Sequence, residues 1–185
     1  PAHHAQALQE FDRAIAVFER FEGRDYLAAA MMSKANAQLR LAQAVNAATT
    51  IERAYTLSQS LEDKELATRC ALVRIEAMLA LGRLTEVQRG IDSLRAQDAT
   101  GNEQALQSAT IRHRLAQGDG ARARALSLQL PKAATGVPDS LVLAAVQGAL
   151  KGRDLATAKR WLAQPGVATD DSATLQLARA MLARA

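Results

Sequence analysis

The chain has 185 residues, 49% hydrophobic, 3% aromatic and 23% charged, with a net charge of +4. Basic and acidic residues are interspersed without a block of either sign, which argues against a nucleic-acid interface, because that needs Lys and Arg gathered on one face. Cys70 is the single cysteine, so no intramolecular disulfide can form, and no apolar run approaches the roughly 18–20 residues that span a bilayer.

Ala and Leu dominate the apolar fraction, and the few Gly and Pro fall at intervals, so the chain reads as helices joined by short turns. The first segment, 1–22, opens with His3 and His4, which as neighbours share no helix face and have no partner at a ligand spacing; they read as a solvated terminus. Within it Leu8, Phe11, Ile15 and Phe18 mark one helical stripe, and Ala14, Val17 and Phe21 mark another beside it. In 24–61 the apolar faces are Met32, Ala35, Leu39 and then Ala47, Ile51, Ala54, with a longer second helix or loop through Ser58 to Asp63. In 64–98 they are Leu72, Ile75, Leu79 and then Val87, Ile91, Leu94. In 102–131 they are Ile111, Leu115 and then Ala123, Leu126, Leu130. In 138–165 they are Leu143, Val146, Leu150 and then Ala158, Leu162, with Asp139 as the expected cap of the first helix. The run TDDS at 169–172 predicts the start of a closing helix, 170–184, whose apolar residues Leu175, Leu177, Ala178, Met181 and Leu182 cover more than one face.

Between the two helices of each pair the same joint recurs. Its anchors are Ala42, Gly82, Gly118 and Arg153, with Gly152 displaced by one place in the last copy. Five residues on stand Ala47, Val87, Ala123 and Ala158. A Gly at the end of a helix takes the left-handed conformation that stops it, and small residues just beyond let two helices approach closely.

A Gly or its equivalent closing one helix, a small residue five on, an apolar residue four further and a period in the middle thirties resemble the tetratricopeptide repeat. Gly82-Arg83-Leu84 with Val87, Ile91 and Leu94 is similar to its turn and second helix, as are Gly118-Asp119 with Ala123 and Leu130, and FDRAIAVFERF at 11–21 is similar to a second helix. Lys34, Arg74 and Thr110 depart from the family, standing where it has a buried leucine. The resemblance implies a single all-α domain over 1–185, a right-handed superhelical solenoid of antiparallel helix pairs with about nine to ten helices, made of a partial repeat 1–22, repeats 24–61, 64–98, 102–131 and 138–165, and the closing helix. It also implies that first helices line a concave groove, with Asn36, Glu76, Arg112 and Gln147 in equivalent places and Arg69, Ser108 and Ser140 about a turn nearer the helix starts. Glu76 would repel an acidic tail, so the row suits a polar or mixed-charge peptide.

Nothing in the chain spells a catalytic motif: H-E-x-x-H, C-x-x-C and G-x-S-x-G are absent, and Gly118-Asp119-Gly120 is not followed by a phosphate-cradling pattern. Cys70, in TRCAL, reads as lying where a helix begins beside Arg69 and Arg74, a place for either a packed thiol or a reactive one, with packing favoured. His113, between Arg112 and Arg114, reads as a surface residue. The expectation is therefore a non-enzymatic, cytoplasmic interaction scaffold without metal or cofactor, binding a protein or peptide rather than nucleic acid or membrane. Self-association through the end helices is a separate expectation, and a sensor of a small molecule or signalling peptide is the alternative. Arg far outnumbers Lys, which suggests a bacterial source, and the opening at Pro1 suggests a segment of a larger regulatory or signalling protein.

Overall fold

The computed structural model describes residues 2–21, 23–97, 102–129, 139–163 and 172–185, without the side chains of 2–5, 140, 141 and 173. Among these residues are ten α-helices and no strand: α1 (Ala2–Arg20), α2 (Arg24–Arg40), α3 (Ala44–Gln59), α4 (Lys64–Ala80), α5 (Leu84–Ala96), α6 (Glu103–Ala116), α7 (Gly120–Gln129), α8 (Asp139–Lys151), α9 (Leu155–Leu162) and α10 (Ala173–Ala183). They group into two compact units, Pro1–Ala99 with α1 to α5 and Thr100–Ala185 with α6 to α10. Among the described residues no helix is long and apolar enough to cross a membrane.

Four joints have one construction. Ala42, Gly82, Gly118 and Arg153 have φ of 57°, 69°, 79° and 57°. Their N–H groups donate to the carbonyls of Leu39, Leu79, Leu115 and Leu150 at 3.0–3.1 Å. The next N–H in each joint, from Gln43, Arg83, Asp119 and Asp154, donates five residues back to Gln38, Met78, Arg114 and Ala149 at 2.8–2.9 Å. These two bonds occupy carbonyls that a helix end otherwise leaves without an intrahelical partner. The residue making the second bond directly precedes the next helix, so the chain reverses within three residues. Arg153 rather than Gly152 takes the left-handed position in the last joint.

Reversal that tight presses the first turn of the second helix onto the end of the first. Ala47, Val87, Ala123 and Ala158, each five residues beyond its anchor, are all 0% exposed. Four residues further, Ile51, Ile91 and Leu162 are buried, but in α7 the place belongs to Ser127. The sequence pointed instead to Leu126, which is only half-buried. The cause is Gly148 of α8, where a Cβ would stand 2.8 Å from Ser127 Oγ and 3.1 Å from the Ala123 carbonyl. So close an approach admits only a small residue at 127, and its hydroxyl donates to the Ala123 carbonyl at 2.7 Å.

In the first unit α1 packs on α2, α2 on α3, α3 on α4 and α4 on α5, and α2 also meets α4. Ala28, Met31, Met32, Ala35, Ile51, Ala54 and Cys70 form its main core. The polar departures from the family pattern have partners. Lys34 Nζ on α2 reaches Asp12 on α1 at 2.6 Å, and Arg74 Nε on α4 reaches Glu52 on α3 at 2.6 Å. Both pairs span 22 residues, and the second repeats the first 40 residues later. Ion pairs this exposed contribute about 0–1 kcal/mol each, so they fix helix register more than they add stability. On α1 the apolar stripes are only partly covered: Phe18 stacks on Tyr26 with ring centroids 5.6 Å apart, whereas Phe21 is 78% exposed.

In the second unit α8 is surrounded, packing against α6, α7, α9 and α10. That explains its small apolar composition: Val142, Ala144, Ala145, Val146 and Ala149 are all 0% exposed. Trp161, Leu175 and Ala178 complete the core around it. Helix α10 starts as expected, with Ser172 Oγ accepting from the N–H of Leu175. The joint at Arg153 is braced by Asp154, which accepts from the N–H of Thr157 at 2.9 Å and from Arg124 Nη2 of α7 at 2.7 Å. The Thr157 backbone bond, followed by the Arg124 and Thr157 side-chain bonds, holds the Asp154 carboxyl down to about 2.

Both the strain at the joints and the charge at the last one are testable. Gly82 has open space where a Cβ would go, so Gly82→Ala isolates the cost of the left-handed backbone and should destabilise the protein by about 1 kcal/mol, while Ala42→Gly relieves the same strain and should stabilise it by up to about 1 kcal/mol. Denaturant unfolding checks both, and equal signs for the two would refute the strain argument. The folded Asp154 carboxyl titrates below the unfolded value near 4, so its contribution is fully present above about pH 4 and is lost as pH falls towards 2. Asp154→Asn should therefore melt below the wild type at pH 7, the gap closing between pH 4 and pH 2; a gap independent of pH would remove the role assigned to the charge.

Candidate functional site

A surface built from equivalent helix positions depends on which helix faces remain open. In the first unit Asn36 on α2 and Arg69 on α4 are exposed, and Glu76 is partly exposed. Arg69 and Glu76 are seven residues apart, two helical turns, and so share one face of α4. Asn36 occupies on α2 the place that Glu76 occupies on α4, counted from their joints at Ala42 and Gly82. Asn36 is polar and uncharged, and Arg69 and Glu76 carry opposite charges.

The four residues predicted in the second unit differ. Ser108 on α6 is 2% exposed, and Arg112, one turn on, is largely withdrawn from water; its burial brings the guanidinium down to about 10, still charged at neutral pH. Gln147 on α8 is part-buried, with Nε2 3.8 Å from Met181 Sδ of α10. The side chain of Ser140 lies outside the described residues. Among the described residues α7 and α8 pack on α6, and α6, α7, α9 and α10 pack on α8, which leaves Ser108 buried and Arg112 and Gln147 part-buried.

Two sequence readings of reactive side chains are corrected. His113 is 0% exposed rather than on the surface. The charged residues on either side of it suggested a solvated stretch, but this part of α6 is enclosed, from Ser108 to His113, and Arg112 is itself largely withdrawn from water. Cys70 is not at a helix start: α4 begins at Lys64, where Asp63 Oδ1 accepts from the N–H of Leu66 at 2.9 Å. The thiol lies beyond the first turn, where the helix dipole fades, and is 0% exposed. Burial raises its pKa, outweighing a hydrogen bond with Ser58 and the charge of Arg69. Its surroundings favour the packed thiol. Among the described residues no group of three or more His, Cys, Asp and Glu is placed to hold a metal ion.

What the sequence reading missed are two clefts on the other side of the first unit's helices. One, of about 750 Å³, has Leu27 and Met31 of α2 as its floor and Thr49, Arg53 and Leu57 of α3 in its wall. The other, of about 210 Å³, is lined by Tyr55 of α3, Ala71 and Arg74 of α4, Arg89 and Ser93 of α5, and Gln97 at the end of α5. Arg74 lies over the Tyr55 ring, 5.3 Å from its centroid. The available signal was the 40-residue recurrence of a cation on a first helix 22 residues after a carboxylate on the preceding second helix. No family model, curated protein or solved structure matches the chain.

Proposed function

We propose that the chain is a tetratricopeptide-like repeat module of a larger bacterial regulatory or signalling protein, a non-enzymatic cytoplasmic scaffold that binds a partner protein or peptide on the solvent side of its first helices. In this reading the helix pairs of each unit stack as in a right-handed superhelical solenoid. The observation that carries it is the three-residue joint with one left-handed residue, found four times at the positions the repeat pattern marks. A motif repeated in this way presents equivalent side chains at regular intervals, which suits recognition of an extended partner. The binding face centres on Asn36, Arg69 and Glu76, whose mixed charge suits a polar or mixed-charge peptide over an acidic one. Val17 on α1, Phe21 just after it and Leu177 on α10 are exposed, which supports self-association through the end helices as a separate part of the proposal. A second reading, a sensor of a small molecule, is favoured by the 750 Å³ cleft, which is in the size range of ligand pockets.

Peptide display against the whole chain tests the binding face. Selected peptides should carry both charges and lose affinity by about tenfold on Arg69→Glu, with no change on Arg184→Glu. Peptides that bind both variants as tightly as the wild type would displace the proposal to another surface. Light scattering over a range of concentrations should give a mass that rises above that of the monomer, and a constant monomer mass would end the self-association reading.

A further inference from the structure

The two clefts of the first unit occupy equivalent places 40 residues apart, and their linings have diverged. Where the larger one has Met31, Thr49, Arg53 and Leu57, the smaller one has Ala71, Arg89, Ser93 and Gln97. The change from Met31 to Ala71 leaves space above α4 that a long side chain occupies in the sister cleft. Arg89 in place of Thr49 and Gln97 in place of Leu57 add N–H donors to the smaller cleft, while Ser93 in place of Arg53 shortens one, and the carboxylate of Glu52 that lines the larger cleft has no counterpart in the smaller lining.

The donors are partly held in place. Arg74 is fixed from two sides, its Nε donating to Glu52 at 2.6 Å and its guanidinium lying over Tyr55, which leaves its terminal N–H groups for another acceptor. Among the described residues Arg89 makes no ion pair. Ser93 Oγ accepts from Gln97 Nε2 at 3.2 Å, so its hydroxyl hydrogen is free to point into the cleft. Two guanidinium groups, a hydroxyl and an amide around about 210 Å³ match a compact group with several anionic oxygens. Glu52 is the opposing charge, and it is committed to Arg74.

We propose that this cleft binds a phosphate group, carried either by inorganic phosphate or by a phosphoserine side chain, between Arg74 and Arg89. The site is independent of the peptide face: Ala71 and Arg74 lie on the side of α4 opposite Arg69 and Glu76, by the 100° turn per residue. It assigns to the first unit a sensitivity to phosphate chemistry that the scaffold reading does not require.

The test is a titration of the whole chain at constant ionic strength, followed by amide and arginine side-chain NMR. The probes are inorganic phosphate, a short phosphoserine peptide and the same peptide unphosphorylated. The expected result is a saturable shift at Arg74, Arg89, Ser93 and Gln97 with a phosphate-bearing probe. Arg89→Glu should weaken binding about tenfold or more. Ala71→Met, which copies the floor of the sister cleft, should abolish it while leaving both guanidinium groups, and Glu52→Gln should tighten it by freeing Arg74. Arg40→Glu, the same charge change on a residue outside the cleft, should leave the dissociation constant within about twofold of wild type. Tighter binding of the phosphoserine peptide than of phosphate identifies a phosphoprotein as the source, and the reverse identifies the free ion. The absence of saturation with both phosphate-bearing probes, equal binding of the unphosphorylated peptide, or unchanged affinity in both Arg89→Glu and Ala71→Met would overturn the proposal.

Discussion

The structure of both units depends on closing a helix with two hydrogen bonds across a left-handed residue. An α-helix that stops leaves carbonyls without partners, and leaving them unpaired next to a packed neighbour is costly. At Ala42, Gly82, Gly118 and Arg153 the N–H of that residue and the N–H of the next one return to those carbonyls, and the chain is delivered at once into the next helix. An antiparallel neighbour results from so short a connection. So does the need for a small or compact residue five places on, which is why Ala47, Val87, Ala123 and Ala158 are all sealed from water. Two of the four joints use a non-glycine residue in this conformation, so the hydrogen-bond closure and the packing beyond it outweigh the backbone strain there.

On that frame the charged residues act as registers. Lys34 and Arg74 stand where an apolar side chain would be expected, yet each reaches a carboxylate on the preceding helix at the same separation. Thr110, the third such departure, is buried, with its hydroxyl donating to the Leu106 carbonyl one turn back. Each polar intrusion is thus compensated locally, by a neighbouring helix or by its own. The repeat leaves equivalent clefts beside these pairs, and single exchanges such as Met31 for Ala71 alter the shape and chemistry of one without disturbing the other.

Part of the candidate surface was legible through the resemblance to the repeat family, which pointed to Asn36, Arg69 and Glu76; on α2 and α4 the first two are exposed and the third is partly exposed. Ser108 and Arg112, named by the same resemblance, and His113, read from its charged neighbours, are instead withdrawn from water, because neither reading carries information about how many neighbours a helix has. Helix α6 is buried on several sides, so residues that a one-sided helix would expose are enclosed. The clefts escaped for a related reason: each is formed by side chains from different helices, and its volume depends on packing distance.

The amino-acid order by itself determined the helices, their stops and the pairing of neighbours, since these rest on interactions within a few residues: apolar spacing, the left-handed stop and the cap at Asp63 or Ser172. It also carried the 40-residue echo that relates α1 and α2 to α3 and α4. Only the tertiary structure decided that the helices gather into two compact units, that α8 is enclosed, that Gly148 meets Ser127, and that Cys70 and His113 are withdrawn from solvent. Those outcomes depend on contacts between residues distant in the chain, where the apolar surface buried and the closeness of backbone approach are settled by all the helices at once.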